Sequence, residues 1–251
     1  MRVLGYRIPA MASLLLWGAL WEAVGRSGAV FILPPLSSVF AALVELAPKA
    51  HFQEAAWSTF LSFAWGMGLA VVAGTALGFL MGRVEAANRL LGMWVNVFAS
   101  APLSSLVPVL MLLFGLGETT VIVTVFLFAV WIIVLDTFAG VRHVSPSLLE
   151  MGRSFGARRW ALYTKVIFWA ALPEILAGYR LGLIRAVKGV VIGQLLVSVV
   201  AFGQLFATYS RNFLFDEFWA VAICMFVFAL GLSEAIGRLE QRIEYYAGAR
   251  G

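Results

Sequence analysis

The sequence predicts an all-α membrane protein with six transmembrane helices. Three observations carry that prediction. Hydrophobic residues make up 62% of the 251-residue chain and charged residues only 12%, with a mean hydropathy of +0.95. A soluble domain carries about 25% charged residues. Several apolar runs reach the roughly 20 residues that a helix needs to cross hydrocarbon. None of these runs alternates strictly, so backbone N–H and C=O groups inside lipid are paired within helices rather than around a barrel. Residues 1–251 are expected to form a single membrane domain.

A basic start, MRVLGYR, leads into IPAMASLLLWGALWEAVG. Ala10-Met11-Ala12 mimics a signal-peptide cleavage site, but it falls too early to leave an apolar region before it. An uncleaved first helix over about 8–25 is expected, with Glu22 near its outer end. Pro34-Pro35 stops one element, and Ser37 or Ser38 can cap a short helix lying along the surface. The second crossing covers about 57–82, where Gly66, Gly68, Ala70, Ala73, Gly74, Ala76 and Gly78 suit close helix packing. A third helix over 91–116 is interrupted by Pro102 and Pro108, and is expected to kink there with Ser104 and Ser105 satisfying freed backbone groups. A fourth covers about 119–141. A loop over 142–172 follows, then a fifth helix over about 174–202 and a sixth over 214–237, ahead of a polar, basic tail.

Charge orients these elements. The proposed inner loops and ends carry Arg2, Arg7, Arg83, Arg89, Arg142, Arg153, Arg158, Arg159, Lys165, Arg238, Arg242 and Arg250; the outer side carries only Arg26, Lys49 and Arg211. With six crossings, the positive-inside bias puts both termini in the cytoplasm. The same bias explains a pI near 9.7 without nucleic acid, since no basic run is interleaved with aromatics on a soluble element. The lone cysteine, Cys224, excludes an intrachain disulfide and a cysteine-based metal cluster, and suits apolar packing. No metal site is expected. His51 and His143 fall on opposite proposed sides and cannot share an acid–base site. No H-E-x-x-H occurs, so an enzyme is disfavoured.

The most structured loop is SPSLLEMGRSFGARRWALYTK. Ser145-Pro146 is a good helix start, with serine as cap and proline at the first helical position. Two turns then place Leu148, Met151 and Phe155 on one apolar ridge. Gly156 suits the left-handed residue that ends such a helix. A second amphipathic segment sets Trp160, Tyr163 and Ile167 beside Arg158, Arg159 and Lys165. A bare positive-inside connection needs neither this glycine nor the later proline.

This stretch resembles the EAA loop of binding-protein-dependent ABC-importer permeases. That pattern runs Glu, two small residues, three variable positions, Gly, then a hydrophobic-Pro pair; here these are Glu150, Met151, Gly152, Gly156 and Leu172-Pro173. Met151 departs from the small-residue rule, and Phe168-Trp169 stands where the general pattern has its first Leu-Pro. Leu33-Pro34-Pro35, Ala101-Pro102-Leu103 with Pro108, Phe114-Gly115-Leu116-Gly117 and Thr137-Phe138-Ala139-Gly140-Val141 are similar to the sulfonate/nitrate/taurine-type subgroup. The resemblance implies a type I ABC-importer-like permease with a cytoplasmic coupling helix. It further implies translocation of a small anionic or polar organic solute delivered by an extracytoplasmic binding protein, in the inner membrane. Glu150, Met151, Gly152, Ser154, Phe155, Gly156 and Arg158 are then the candidate docking residues for an ATPase.

That motor is not in this chain. No G-x-x-x-x-G-K-[ST] occurs, and Lys49, Lys165 and Lys188 each lack the preceding glycine of a phosphate-cradling loop. No cofactor is expected on the chain itself; ATP and magnesium belong to a partner. The resemblance implies two ATPase subunits and a second permease subunit, read as another copy of this chain, within membrane lipid.

Polar residues inside the apolar runs are candidates for the translocation path: Ser104, Ser105, Arg185, Lys188 and Gln194. Intramembrane charge usually marks function. Against that, Arg180, Arg185 and Lys188 lie in the first half of their helix and can snorkel to the surface. The amide of Gln194 can equally bond a neighbouring helix, and Asp136 is expected to accept an interhelical hydrogen bond. The rival reading is an ion-coupled secondary transporter acting without an ATPase, which calls for inverted repeats and midplane ionisable groups. No clear repeat is present.

Overall fold

The computed structural model describes residues 2–3, 6–7 and 10–248, and folds them almost wholly into helices. Ile8 and Pro9, at the expected start of the first helix, and Arg250 lie outside the described residues. The exception to helix is a minimal antiparallel pair, β1 Arg2–Val3 and β2 Tyr6–Arg7. The helices are α1 Ala10–Ser27, α2 Leu36–Leu46, α3 Ala50–Arg83, α4 Glu85–Ser100, α5 Val107–Phe114, α6 Glu118–Arg142, α7 Pro146–Ser154, α8 Arg159–Ala161, α9 Phe168–Val197, α10 Ala201–Arg211 and α11 Phe215–Gly248. A 3₁₀ turn, Leu103–Leu106, precedes α5, and a π-helical stretch, Leu162–Ile167, joins α8 to α9.

At the centre stands α6, packed along its length between α3 and α9. Its glycine-bearing neighbours show how close the approach is. A Cβ placed on Gly66, Gly74, Gly78 or Gly82 of α3 would come within 2.6–2.7 Å of Val125, Ile133, Thr137 or Val141 respectively. The partner numbers climb together, so α3 and α6 run parallel. On α9 the order is reversed: Gly178 meets Asp136, Gly182 meets Ile133 and Gly193 meets Thr124. Between lipid-immersed helices there is little hydrophobic gain, and this backbone proximity, with its dispersion contacts, takes its place. The core it builds includes Ala70, Val125, Ala129, Ile133, Ala186 and Val190. Another face of α3 leaves Trp57, Trp65, Leu69 and Val72 exposed, which suits lipid and not water.

Because α3 and α6 are parallel, the chain between them must return. The sequence predicts one kinked helix over 91–116 for this task. The structure instead ends α4 at Ser100, turns by 96°, and resumes with the 3₁₀ turn and α5. The residue before a proline is pushed out of helical geometry, and Ala101, ahead of Pro102, is extended (φ −67°, ψ 148°). Pro108 is not a kink: it sits in the first turn of α5, where its missing N–H costs nothing. Likewise the helix expected over 174–202 begins at Phe168, carries Pro173 inside it, and breaks after Val197 with a 47° bend into α10. The loop expected over 142–172 is correspondingly shorter. Alone, α3 and α6 are long and apolar enough to cross a membrane; counting each bent pair as one span raises the number to four among the described residues.

The two ends of the bundle differ in charge. One end gathers Arg83 and Arg142, where Arg142 Nη1 lies 3.5 Å from Glu85 Oε2. At the other, α2, the start of α3, α10 and the start of α11 share a second core containing Val39, Phe52, Phe202, Phe206 and Val221. Trp21 packs edge-on against Trp219 at 5.1 Å, and Ser38 Oγ donates to Asp216 Oδ1 at 2.9 Å, which ties α1 and α2 to α11 there. Arg26 and Lys49 sit at this second end, as does His51, whose Nε2 is 3.3 Å from Tyr209 Oη. His143 follows α6 at the opposite end, so the two histidines are far apart, as the sequence implied.

Candidate functional site

Beyond α6 the chain leaves the bundle for α7. Ser145 is its N-cap, but through the backbone: Leu148 N donates to the Ser145 carbonyl at 3.1 Å, while the hydroxyl pairs with Ser147 Oγ at 2.7 Å. Pro146 takes the first helical position. The helix stops where the sequence places the stop. Gly156 has φ +76°, its N–H donates to the Arg153 carbonyl, and Ala157 N donates to the Gly152 carbonyl at 3.0 Å. These two bonds and the left-handed glycine form a Schellman closure.

One face of α7 is anchored. Leu149 packs against the buried group Val141, Val144, Ile167, Ala171 and Ile175. Gly152 is buried too, and a Cβ on it would come 2.7 Å from Leu162 Cδ2. Gly152, one of the docking candidates, therefore lies at the base of the helix and not on its exposed ridge. The opposite face is bare: Leu148, Met151 and Phe155 are 37%, 51% and 85% exposed. Glu150, Ser154, Gly156 and Arg158 are exposed beside them. Ser154 Oγ donates back to the Glu150 carbonyl at 3.0 Å, which sets its side chain along the helix. The result is a two-turn helix with a buried base and an uncovered apolar ridge.

The polar residues of the bundle separate into distinct places. Arg185 is half-buried, and its Nη1 donates to the Ala99 carbonyl at 3.2 Å, just before the α4 break. It also lies within electrostatic reach of Asp136 on α6, whose Oδ2 is buried without a hydrogen-bond partner. Ser104 and Ser105, on the turn after the break, are exposed, and so is Lys188. Gln194 is elsewhere. It is fully buried, and its Nε2 donates to Thr59 Oγ1 at 2.9 Å. Thus the structure brings Arg185 to the broken helix and holds Gln194 in a separate α3–α9 contact. Sequence reasoning missed Thr59; its signal was a hydroxyl, with those of Ser58 and Ser62, at the start of an apolar run.

Residues 66–245 match the family model described as the inner membrane component of binding-protein-dependent transport systems. The chain belongs to this family. Among relatives of this chain is the carnitine transport permease protein OpuCD of Listeria monocytogenes, 33% identical over 57% of this chain and 65% of that protein, just under two thirds of its length. Another is the putative aliphatic sulfonates transport permease protein SsuC of Bacillus subtilis, 28% identical over 89% of this chain and 82% of that protein. Among solved structures, this chain resembles in fold a chain of the inward-facing MetNI methionine ABC transporter. The TM-score is 0.62 at 20% identity, covering 74% of this chain and 93% of the other, a likeness of fold. Both of these relatives are transporter permeases.

Proposed function

We propose that this permease is the membrane-spanning subunit of an ATP-driven importer, with six crossings, both termini cytoplasmic and α7 as the coupling helix. The observation that carries the reading is α7 itself: an apolar ridge left uncovered on a helix whose other face is fixed in the basic end of the bundle. Two ATPase subunits supply ATP and magnesium, and a second copy of this chain completes the pathway. When the motors close, each drags its α7, and the rigid α3–α6–α9 core rocks between inward-open and outward-open states, a standard domain movement.

The cargo is a small anionic or polar organic solute of sulfonate, nitrate or taurine type, delivered by an extracytoplasmic binding protein. The sulfonate permease aligns over 89% of this chain and the carnitine permease over 57%, which favours this class over the quaternary amines of the carnitine and choline relatives. Arg185, partly buried beside the broken α4, supplies a positive charge for such an anion, with Ser104 and Ser105 across the break; Lys188 and Gln194 complete the candidate path. The test is a reconstituted assembly with an ATPase subunit and candidate binding proteins added in turn. Solute-stimulated ATP hydrolysis with a sulfonate-binding protein is expected. Uphill transport by this chain without any ATPase would overturn the reading in favour of an ion-coupled carrier.

A further inference from the structure

The last turn of α3 and the segment from α8 to the start of α9 line an open cavity of about 540 Å³. Its walls are apolar and aromatic, with Phe79, Tyr163, Phe168, Trp160 and Trp169 among them, and Arg83 is its one cation. The guanidinium of Arg83 lies over the Tyr163 ring, 5.6 Å from its centroid, yet Arg83 Nε is buried with no hydrogen-bond partner. A charged donor left unpaired out of water is costly, so the site lacks an acceptor. No carboxylate lines the cavity. Between Glu150 and Glu174 the chain carries Arg153, Arg158, Arg159 and Lys165 and no acidic residue at all. Trp160 and Trp169 are 80% and 63% exposed, as indoles at a membrane–water boundary are. Phe79 and Leu80 continue into the crossing helix, while Arg83 stands at its end.

We infer that this cavity holds an anionic phospholipid from the leaflet on the α7 side, its phosphate on Arg83 and its upper acyl chain along Phe79, Leu80, Phe168 and Trp169. The assignment of the leaflet rests on the orientation proposed above; the binding itself does not need the motor. An apolar trough ending in a half-buried guanidinium, whose Nε has no hydrogen-bond partner, complements a lipid with a charged head. The surrounding cations attract the anionic class over a zwitterionic one. Because the pocket joins α3 to the segment under α7, an occupant there stiffens the base of the knob.

The experiment is native mass spectrometry of the full-length chain in detergent, titrated with phosphatidylglycerol or phosphatidylcholine. The wild type is expected to retain one phosphatidylglycerol that Arg83→Gln binds about fivefold more weakly, the effect of one interfacial cation. Arg83→Lys should keep most of it, and Thr164→Trp, which fills the cavity and leaves Arg83 in place, should abolish it. Phosphatidylcholine should distinguish none of them. Equal retention by wild type and Thr164→Trp overturns the proposal even if Arg83→Gln fails to fold. Displacement by soluble glycerol phosphate at equal concentration overturns it in favour of a free-phosphate site, and displacement by an ATPase subunit in favour of a protein-covered face. Neither ATPase nor solute is needed for the lipid titration, so its failure and that of the importer reading are separate.

Discussion

Gln194 Nε2 donates to Thr59 Oγ1 at 2.9 Å, and both side chains are wholly buried. The hydroxyl has one proton and gives it to the Ala55 carbonyl at 2.8 Å, which leaves a lone pair for the amide. The bond ties α9 to α3 three residues before α9 ends. Its two partners are not equivalent. Gln194→Leu leaves Thr59 still bonded to Ala55 and should cost about 0.5–1.5 kcal/mol, the usual worth of an interhelical bond in a membrane. Thr59→Val strands a buried amide and should cost more, about 1–3 kcal/mol. The double variant should recover part of that. Thermal unfolding of the purified chain in detergent checks the ranking; equal losses for the two single variants would contradict it.

Close packing of α3 on α6 gives a second expectation. A Cβ on Gly78 meets Thr137 Cβ at 2.7 Å and the Val134 carbonyl at 2.7 Å, and neither can swing away as a flexible chain end would. Gly78→Ala is therefore expected to destabilise the bundle by about 1–3 kcal/mol. Gly68 has nothing within 4 Å of its added Cβ, so Gly68→Ala should fall within about 0.5 kcal/mol of wild type. The same unfolding measurement compares them, and a neutral Gly78→Ala would mean the helices can part.

At α7 the expected losses are functional. Phe155 is 85% exposed and Glu150 is exposed, so Phe155→Ala and Glu150→Lys should leave the melting temperature unchanged. Both should reduce co-purification with the ATPase subunit and its stimulation by a loaded binding protein. Gly156→Val differs, because its φ of +76° is a left-handed conformation that costs a side-chain-bearing residue about 1–2 kcal/mol. It should loosen the helix end as well as the coupling. Full stimulation in all three variants would remove α7 from the docking surface.

How far these sites could be read from the chain depends on how local their causes are. Ser145-Pro146 and Gly156 bracket α7 because a cap, a first-turn proline and a left-handed closure are properties of the residues themselves. The apolar runs of α3 and α6 are equally local. The α9 break is not: Leu195 to Phe202 holds no proline or glycine, yet Ser198 and Ala201 adopt φ of +57° and +51°. That strain is held by tertiary contacts, including Phe202 against Phe52 and the close approach of Gly203 to the Gln194 carbonyl. Proline signals a break in α4 but carries no information on its angle, which the packing of α5 on α6 sets. For Arg185 and Gln194, both plausible path residues by composition, only the fold reveals that one faces the helix break and the other is locked to Thr59.

The environment of Arg185 separates two roles it can play. Its Nη1 bonds the Ala99 carbonyl, and its charge acts on Asp136, whose buried Oδ2 has no hydrogen bond. Arg185→Met should therefore destabilise the chain in two ways, by leaving a carbonyl at the helix break without its donor and by leaving Asp136 without a nearby opposite charge. Removing one member of a partly buried pair is worse than removing both. Arg185→Met combined with Asp136→Asn should accordingly be more stable than Arg185→Met alone, as read by thermal unfolding. Solute-stimulated ATP hydrolysis in the reconstituted assembly then divides the roles. If Arg185 serves only to neutralise Asp136, the double variant regains stimulation along with stability. If its guanidinium meets an anionic solute, stability returns and stimulation does not, because no charge remains to receive the cargo. The second outcome is the one expected here, and a double variant with full stimulation would take Arg185 out of the path.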